Sequence, residues 1–348
     1  VIYEMSVRDF SMQKEAGFSQ PGKFASLSES PTVHGHTFGL KYLQDLGITH
    51  VQLMPVYDFG SVDEKHPELV YNWGYDPVQY NVPEGSFSSD PHDPYSRIFE
   101  LQDAIAAYHQ ADMSVIMDVV YNHVYEADAY AFEKIVPGYF YRLDEQGLRT
   151  NGTFCGNDVA SEKAMVRHYI QQSVQQWVSL YGFDGFRFDL MGILDITTMK
   201  QIAQELKAIH PNIYLYGEGW QMPTGLDSDL LAHQFNAEQL PEYGFFSDHF
   251  RDTIKQTIVQ GSRLDKEHAT SWLENVLTAN VGLTGEPHFL APHQAINYVE
   301  CHDNATVFDY FDIQNPNISL RQRLANSRLA LHIVLLAQGV PFLHSGQE

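Results

Sequence analysis

Only two cysteines, Cys155 and Cys301, occur among 348 residues. That excludes a disulfide framework and a zinc site built on cysteine pairs. Basic residues are scarce: 21 Lys and Arg stand against 44 Asp and Glu, a formal charge of −23. Such a surface repels phosphate backbones and anionic lipid, which argues against nucleic-acid and membrane partners and leaves neutral polymers such as glycans unaffected. No apolar run reaches membrane-spanning length. No phosphate-cradling loop is visible, because Gly182-Phe-Asp-Gly185 lacks both the lysine and the following helix. A Gly-x-Ser-x-Gly nucleophile elbow is missing too. Val1 already lies inside an apolar strand pattern and Glu348 follows another, so both ends read as cut and any targeting segment is undecided.

Aromatic residues, in contrast, make up 13% of the chain and include 20 Tyr. They serve either a packed core with amphipathic rims or a stacking surface for sugar rings. Strand and helix patterns alternate along the chain. Strands are expected at Val1–Val7, Ile48–Pro55, Ser114–Val120, Phe183–Asp189, Ile213–Gly217, Phe245–Phe250, Ile296–Cys301 and Val340–His344. Helices are expected at Thr37–Leu46, Arg97–Ala111, Met165–Leu180, Thr197–Ile209 and Arg321–Ala337. Eight strands with helices between most of them predict an α/β fold, a (β/α)8 TIM barrel, as one catalytic domain over residues 1–348 that is incomplete at both ends. Two long insertions follow strands 2 and 3, at residues 56–97 and 122–162. Their Tyr, Trp, Gly and Asn content suits ordered substrate-binding loops.

Three acidic residues end three of these strands: Asp189 in Gly-Phe-Arg-Phe-Asp, Glu218 in Tyr-Gly-Glu-Gly-Trp, and Asp303 in Cys-His-Asp-Asn. A parallel barrel carries such residues to one mouth, and facing carboxyl groups are what glycoside cleavage uses. Arg187 lies two residues before Asp189 on the same strand face. A cation there keeps Asp189 ionised, which suits a nucleophile, although Arg-x-Asp by itself favours a structural ion pair at the barrel mouth. Apolar surroundings between Gly217, Gly219 and Trp220 would keep Glu218 protonated, which suits a general acid; the alternative is a helix-capping Glu. His302 and Asp303, taken alone, read as a satisfied hydrogen-bonding pair more readily than as a catalytic one. Asp118, Asn122 and His123 are metal ligands by type, but no second His completes a recognisable spacing, and metal-free roles are preferred.

In order, Asp118-Val-Val-Tyr-Asn-His123, Gly185-Phe-Arg-Phe-Asp-Leu-Met-Gly192, Tyr216-Gly-Glu-Gly-Trp220 and Val299-Glu-Cys-His-Asp-Asn304 resemble the four motifs of the α-amylase superfamily of glycoside hydrolases. Tyr71-Asn-Trp-Gly-Tyr-Asp-Pro77, Val136-Pro-Gly-Tyr-Phe-Tyr-Arg142 and Asn151-Gly-Thr-Phe-Cys-Gly-Asn-Asp158 resemble its starch-debranching branch, the type I pullulanases. The resemblance spans essentially the whole chain. It implies Asp189 as nucleophile, Glu218 as general acid/base and Asp303 as the carboxylate that steadies the transition state. It also implies that Arg187, His123 and His302 hold the sugar, that Tyr75 stacks on its ring, and that Trp73 and Trp220 line neighbouring sugar sites. Cys301, Leu194 and Gln221 depart from the expected Ser, His and Asp. The implied reaction is retaining cleavage of α-1,6-glucosidic links in pullulan, starch limit dextrins or glycogen. An α-1,4-acting amylase or neopullulanase, an isoamylase-type debrancher and a non-catalytic glucan-binding barrel are the rivals. No cofactor is required; Asn122 matches a position that binds calcium in many amylases, so calcium stays open. The expected partner is an α-glucan polysaccharide acted on by a monomer, outside the cell or at its surface, with a cytoplasmic debrancher as the other placement.

Overall fold

The computed structural model describes residues 1–261, 266–281 and 289–348. Its main sheet contains β1 (Ile2–Met5), β2 (His50–Leu53), β3 (Ser114–Val119), β4 (Gly185–Phe188), β5 (Tyr214–Gly217), β6 (Tyr243–Phe246), β7 (Ala295–Asn297) and β8 (Val340–His344). The strand order β1-β8-β7-β6-β5-β4-β3-β2 closes on itself, which is the expected barrel. Helices α1 (Gly39–Leu46), α2 (Ser96–Gln110), α3 (Ala164–Gln176), α4 (Ile196–Ile209), α5 (Asp248–Gln260), α6 (Lys266–Leu277), α7 (Val307–Gln314) and α8 (Leu320–Leu336) accompany the strands. The described chain divides into two compact units, Met5–Asn236 and Val1–Glu4 with Ala237–Glu348.

In the larger unit β2, β3, β4 and β5 pair in parallel, and Val51, Val115, Ile116, Met117, Phe186, Phe188 and Leu215 are fully buried. Near-continuous apolar strands of this kind suit a parallel sheet covered on both faces, each such side chain contributing roughly 1.5–3 kcal/mol by burial. Residues after Gln176 in the expected helix Met165–Leu180 form a π-helical turn, Trp177–Tyr181, closed by Gly182 at φ +83°. The buried Trp177 is held there by its indole N–H, which donates to Tyr80 O at 2.9 Å.

The insertion after β2 is a hairpin of Tyr57–Phe59 with Pro77–Pro83. The insertion after β3 is tied down by two side chains from the sequence motifs. Asp158 accepts from Thr150 Oγ1 (2.7 Å), Gly152 N (2.9 Å), Thr153 N (2.9 Å) and Thr224 Oγ1 (2.8 Å). Burial works against its charge, but these four donors outweigh it and lower its pKa. Arg142, buried, donates to Ile193 O at 2.7 Å and to Glu162 at 3.0 Å.

In the smaller unit β1 pairs with β8, and β6, β7 and β8 pair in turn, all in parallel. The expected strand Phe245–Phe250 is corrected here: it ends at Phe246, and α5 begins at Asp248. Ser247 decides the switch, because its hydroxyl accepts from Phe250 N at 3.2 Å and caps the helix. The strand expected over Ile296–Cys301 is likewise only Ala295–Asn297.

Candidate active site

Within the unit Met5–Asn236, parallel register sets Asp118 of β3 level with Arg187 of β4, and Arg187 level with Tyr216 of β5. Arg187 is 2% exposed and binds three carboxylates. One η nitrogen contacts Asp118 Oδ1 (3.0 Å) and Asp189 Oδ1 (2.9 Å), and the other contacts Glu218 Oε1 (2.9 Å). Burial opposes its charge, but Asp118, Glu218, Tyr75 and Asp189 together raise its pKa well above the usual arginine value. A planar fork of donors can hold two acids at a fixed spacing, which a lysine cannot. Arg187 therefore sets the relative position of Asp189 and Glu218.

Asp189 follows β4 directly, and its Oδ2 accepts from Asn122 Nδ2 at 2.8 Å. Leu190 then turns into the left-handed region at φ +41° and donates its N–H to Glu218 Oε2 at 3.0 Å. A bulky residue at that φ is strained, and the turn is what aims an N–H at the acid. Glu218 thus has a guanidinium and an amide N–H against its oxygens, unlike the apolar surroundings expected from its neighbours in sequence. Gly192 donates to Glu218 O at 2.9 Å, and a Cβ at Gly192 would come within 1.9 Å of Trp220 O. Only glycine lets the segments after β4 and β5 approach so closely.

Of the aromatic candidates, Tyr75 joins this network directly. Tyr75 donates its hydroxyl to Asp118 Oδ2 at 2.7 Å, and its ring centroid lies 5.8 Å from the Arg187 guanidinium carbon. Trp73 is 42% exposed, with its indole N–H on Tyr71 OH at 3.0 Å, and Trp220 is half-buried. His123 is buried, its Nε2 2.8 Å from Tyr75 O and its Nδ1 2.6 Å from Asn122 Oδ1. Burial lowers the pKa of the imidazole, while acceptor oxygens face both of its ring nitrogens.

Asp118, weighed from the sequence only as a metal ligand by type, instead joins Tyr75 to Arg187. Gln52 and Tyr216 were not singled out at all. Tyr216 OH donates to Gln52 Oε1 at 2.6 Å, and Gln52 Nε2 lies 3.5 Å from Asp118 Oδ2. A residue level on a neighbouring strand was the signal that could have found them, and it requires the register.

In the other unit, His302 is fixed by Glu4 of β1: its Nδ1 lies 2.8 Å from Oε1, and its backbone N–H donates to Oε2 at 2.8 Å. Glu4 is another residue the sequence reading missed; it is 1% exposed. Asp303 has a half-exposed side chain, with Oδ2 3.7 Å from His302 Nε2. Cys301 is half-buried, its Sγ 3.8 Å from Asp303 O. His344 sits level with Glu4 on β8, and its Nδ1 is 3.0 Å from Glu300 Oε1. Burial disfavours a charged His344, but the bond to Glu300 and the field of Glu4 outweigh it and raise its pKa.

The chain matches the family described as alpha amylase, catalytic domain, over residues 20–142. It is 44% identical to a pullulanase of Bacillus subtilis (strain 168), an alignment that takes in 100% of this chain and 49% of the relative. It is 30% identical to the chloroplastic pullulanase 1 of Arabidopsis thaliana, over 100% of this chain and 45% of that protein. The crystal structure of a Paenibacillus barengoltzii pullulanase in complex with maltohexaose and alpha-cyclodextrin superposes with a TM-score of 0.95 at 44% identity, covering 100% of this chain and 55% of that one. The chain thus spans about half the length of the relatives it matches. With the barrel order, the four motifs in sequence and similarity to part of the pullulanases along the whole of this chain in agreement, the chain belongs to the α-amylase family of catalytic domains.

Proposed function

We propose that this chain is the catalytic barrel of a retaining glycoside hydrolase that cleaves α-1,6-glucosidic links in pullulan, starch limit dextrins or glycogen. The observation that carries the reading is the single buried guanidinium of Arg187 bonded to both Asp189 and Glu218. Retaining cleavage needs two carboxyl groups about 5–5.5 Å apart, close enough for one to attack while the other handles the proton. One guanidinium with an acid on each η nitrogen is suited to hold such a pair. The relatives' name, pullulanase, supports the choice of linkage.

In the first step Glu218 gives its proton to the bridging oxygen as Asp189 attacks the anomeric carbon from the opposite face. The C–O bond breaks, and a glycosyl ester forms on Asp189. In the second step water attacks the anomeric carbon of that glycosyl ester, Glu218 takes the water proton, and the bond from that carbon to Asp189 breaks to free the carboxylate. Asp303 is assigned the third carboxylate role from its motif, with His302 beside it. Arg187 and His123 hold the sugar, Tyr75 stacks on it, and Trp73 and Trp220 extend the contact to neighbouring sugars.

The reaction requires no cofactor. A calcium ion at Asn122 would have to displace His123 from its Oδ1 and compete with the bond to Asp189, so the residues present do not offer it a ready ligand. The partner is an α-glucan bound by a monomer acting outside the cell or at its surface, with cytoplasmic debranching as the other placement. The test is to incubate the full-length enzyme with pullulan and identify the product. Maltotriose means α-1,6 cleavage; panose-type products would replace it with α-1,4 cleavage. Asp189→Asn and Glu218→Gln should each nearly abolish turnover in a folded protein, and near wild-type activity in either would overturn the assignment.

A further inference from the structure

A cavity of about 820 Å³ lies in the unit Met5–Asn236, between the hairpin after β2, the start of the insertion after β3, and α3. None of the three carboxylates that Arg187 binds lines it. One wall is aromatic: Tyr125, Phe132 and Tyr169. The lining also includes Asp58, Gln79 and Asn81, and Tyr169 OH donates to Gln79 Oε1 at 3.3 Å. We propose that this cavity is a second, non-catalytic binding site for a linear α-glucan chain. The assignment of ligand class rests on the function proposed above.

Three observations carry it. The volume falls in the range of true ligand sites, roughly 300–1,000 Å³. The aromatic wall is packed in place: a Cβ at Gly60 would lie 2.1 Å from the Tyr125 ring, so that ring lies close against the Gly60 backbone. Phe132 and Tyr169 meet edge-to-face at 4.8 Å, and Phe140 braces Phe132 at 5.3 Å. Yet Tyr125 remains 43% exposed. A ring that is fixed in place and still open loses little entropy on binding.

Next, the lining has amides, carboxylates and phenols but no lysine, arginine or histidine. Such a wall rejects phosphates and other anions and suits a neutral polyhydroxyl ligand, whose C–H faces pack on aromatic rings and whose hydroxyls bond amides and carboxylates.

The experiment is titration calorimetry of the full-length enzyme with linear maltohexaose, which has no α-1,6 link to cleave. Wild type, Tyr125→Ala and Val78→Arg are compared. Val78 is exposed at the rim, so Val78→Arg blocks the cavity without removing a packed ring. The expected result is one fewer bound maltohexaose per molecule in both variants. Turnover of a short soluble branched substrate should stay unchanged, while turnover on polymeric glucan should fall about threefold or more. Unchanged stoichiometry in Val78→Arg overturns the second site even if the enzyme cleaves pullulan. Failure of wild type to release any product from pullulan would instead sink the function proposed above.

Discussion

Replacing Arg187 by methionine removes the one cation that the three carboxylates of Asp118, Asp189 and Glu218 share. With charge centres near 4 Å and an effective dielectric of 20, each ionised pair is worth about 4 kcal/mol, so with Glu218 as the protonated acid the pairs to Asp118 and Asp189 lose about 8 kcal/mol of gross attraction. Much of that sum offsets the cost of burying the guanidinium, and the net loss on breaking a buried network of this kind is about 3–5 kcal/mol. Arg187→Met should therefore unfold in urea with about 3–5 kcal/mol less stability. Its turnover on pullulan should fall at least a hundredfold, because the remaining acids repel one another and share protons instead of standing as a charged nucleophile beside a proton donor. Arg187→Lys keeps the charge but has one nitrogen to offer where two are used, so it should recover part of the stability and little of the turnover. Tryptophan fluorescence during urea unfolding and reducing-end release measure the two effects. If Arg187→Met lay within 1 kcal/mol of wild type and within threefold in turnover, the shared-cation account would be wrong.

Two further outcomes are expected. Burial pushes Glu84 up to about 7, against the opposing bonds from Ser86 and Phe59, and burial with the nearby Glu64 pushes Asp58 up to about 6. A carboxyl whose folded value exceeds its unfolded one holds an extra proton in the native state, so it favours folding at low pH, and that contribution is lost as pH rises toward 7. Stability of wild type relative to Glu84→Gln, from urea unfolding across about pH 5 to 8, should thus fall by on the order of 3 kcal/mol, and a flat difference would contradict it. Separately, Gly192→Ala forces a Cβ to within 1.9 Å of Trp220 O, which backbone must move to relieve. It should cost about 1–3 kcal/mol in thermal or urea unfolding and depress turnover as well, since Gly192 also bonds Glu218 O; a fully stable, fully active variant would refute the close-approach argument.

Strand alternation and motif order were enough to read the barrel, the pairing of Arg187 with Asp189, and the placement of Asp189 and Glu218 just beyond strand ends. These are local properties: a period of two along a strand and the identity of residues at its end. Other features depend on which residues lie level on neighbouring strands. Asp118 as the link between Tyr75 and Arg187, the Tyr216–Gln52 pair beneath it, and Glu4 behind His302 all arise from register between segments far apart in the chain. The polar surroundings of Glu218 have the same origin, because Leu190 and Arg187 reach it from the adjacent strand. The α5 boundary at Ser247 was misread for a nearer reason: an apolar run ending in Phe250 looks like strand until a cap diverts it. The sequence by itself determined which chemistry the strand ends can carry. Tertiary structure decided how each acid is held, since a carboxylate's partners come from whichever chain folding brings alongside it.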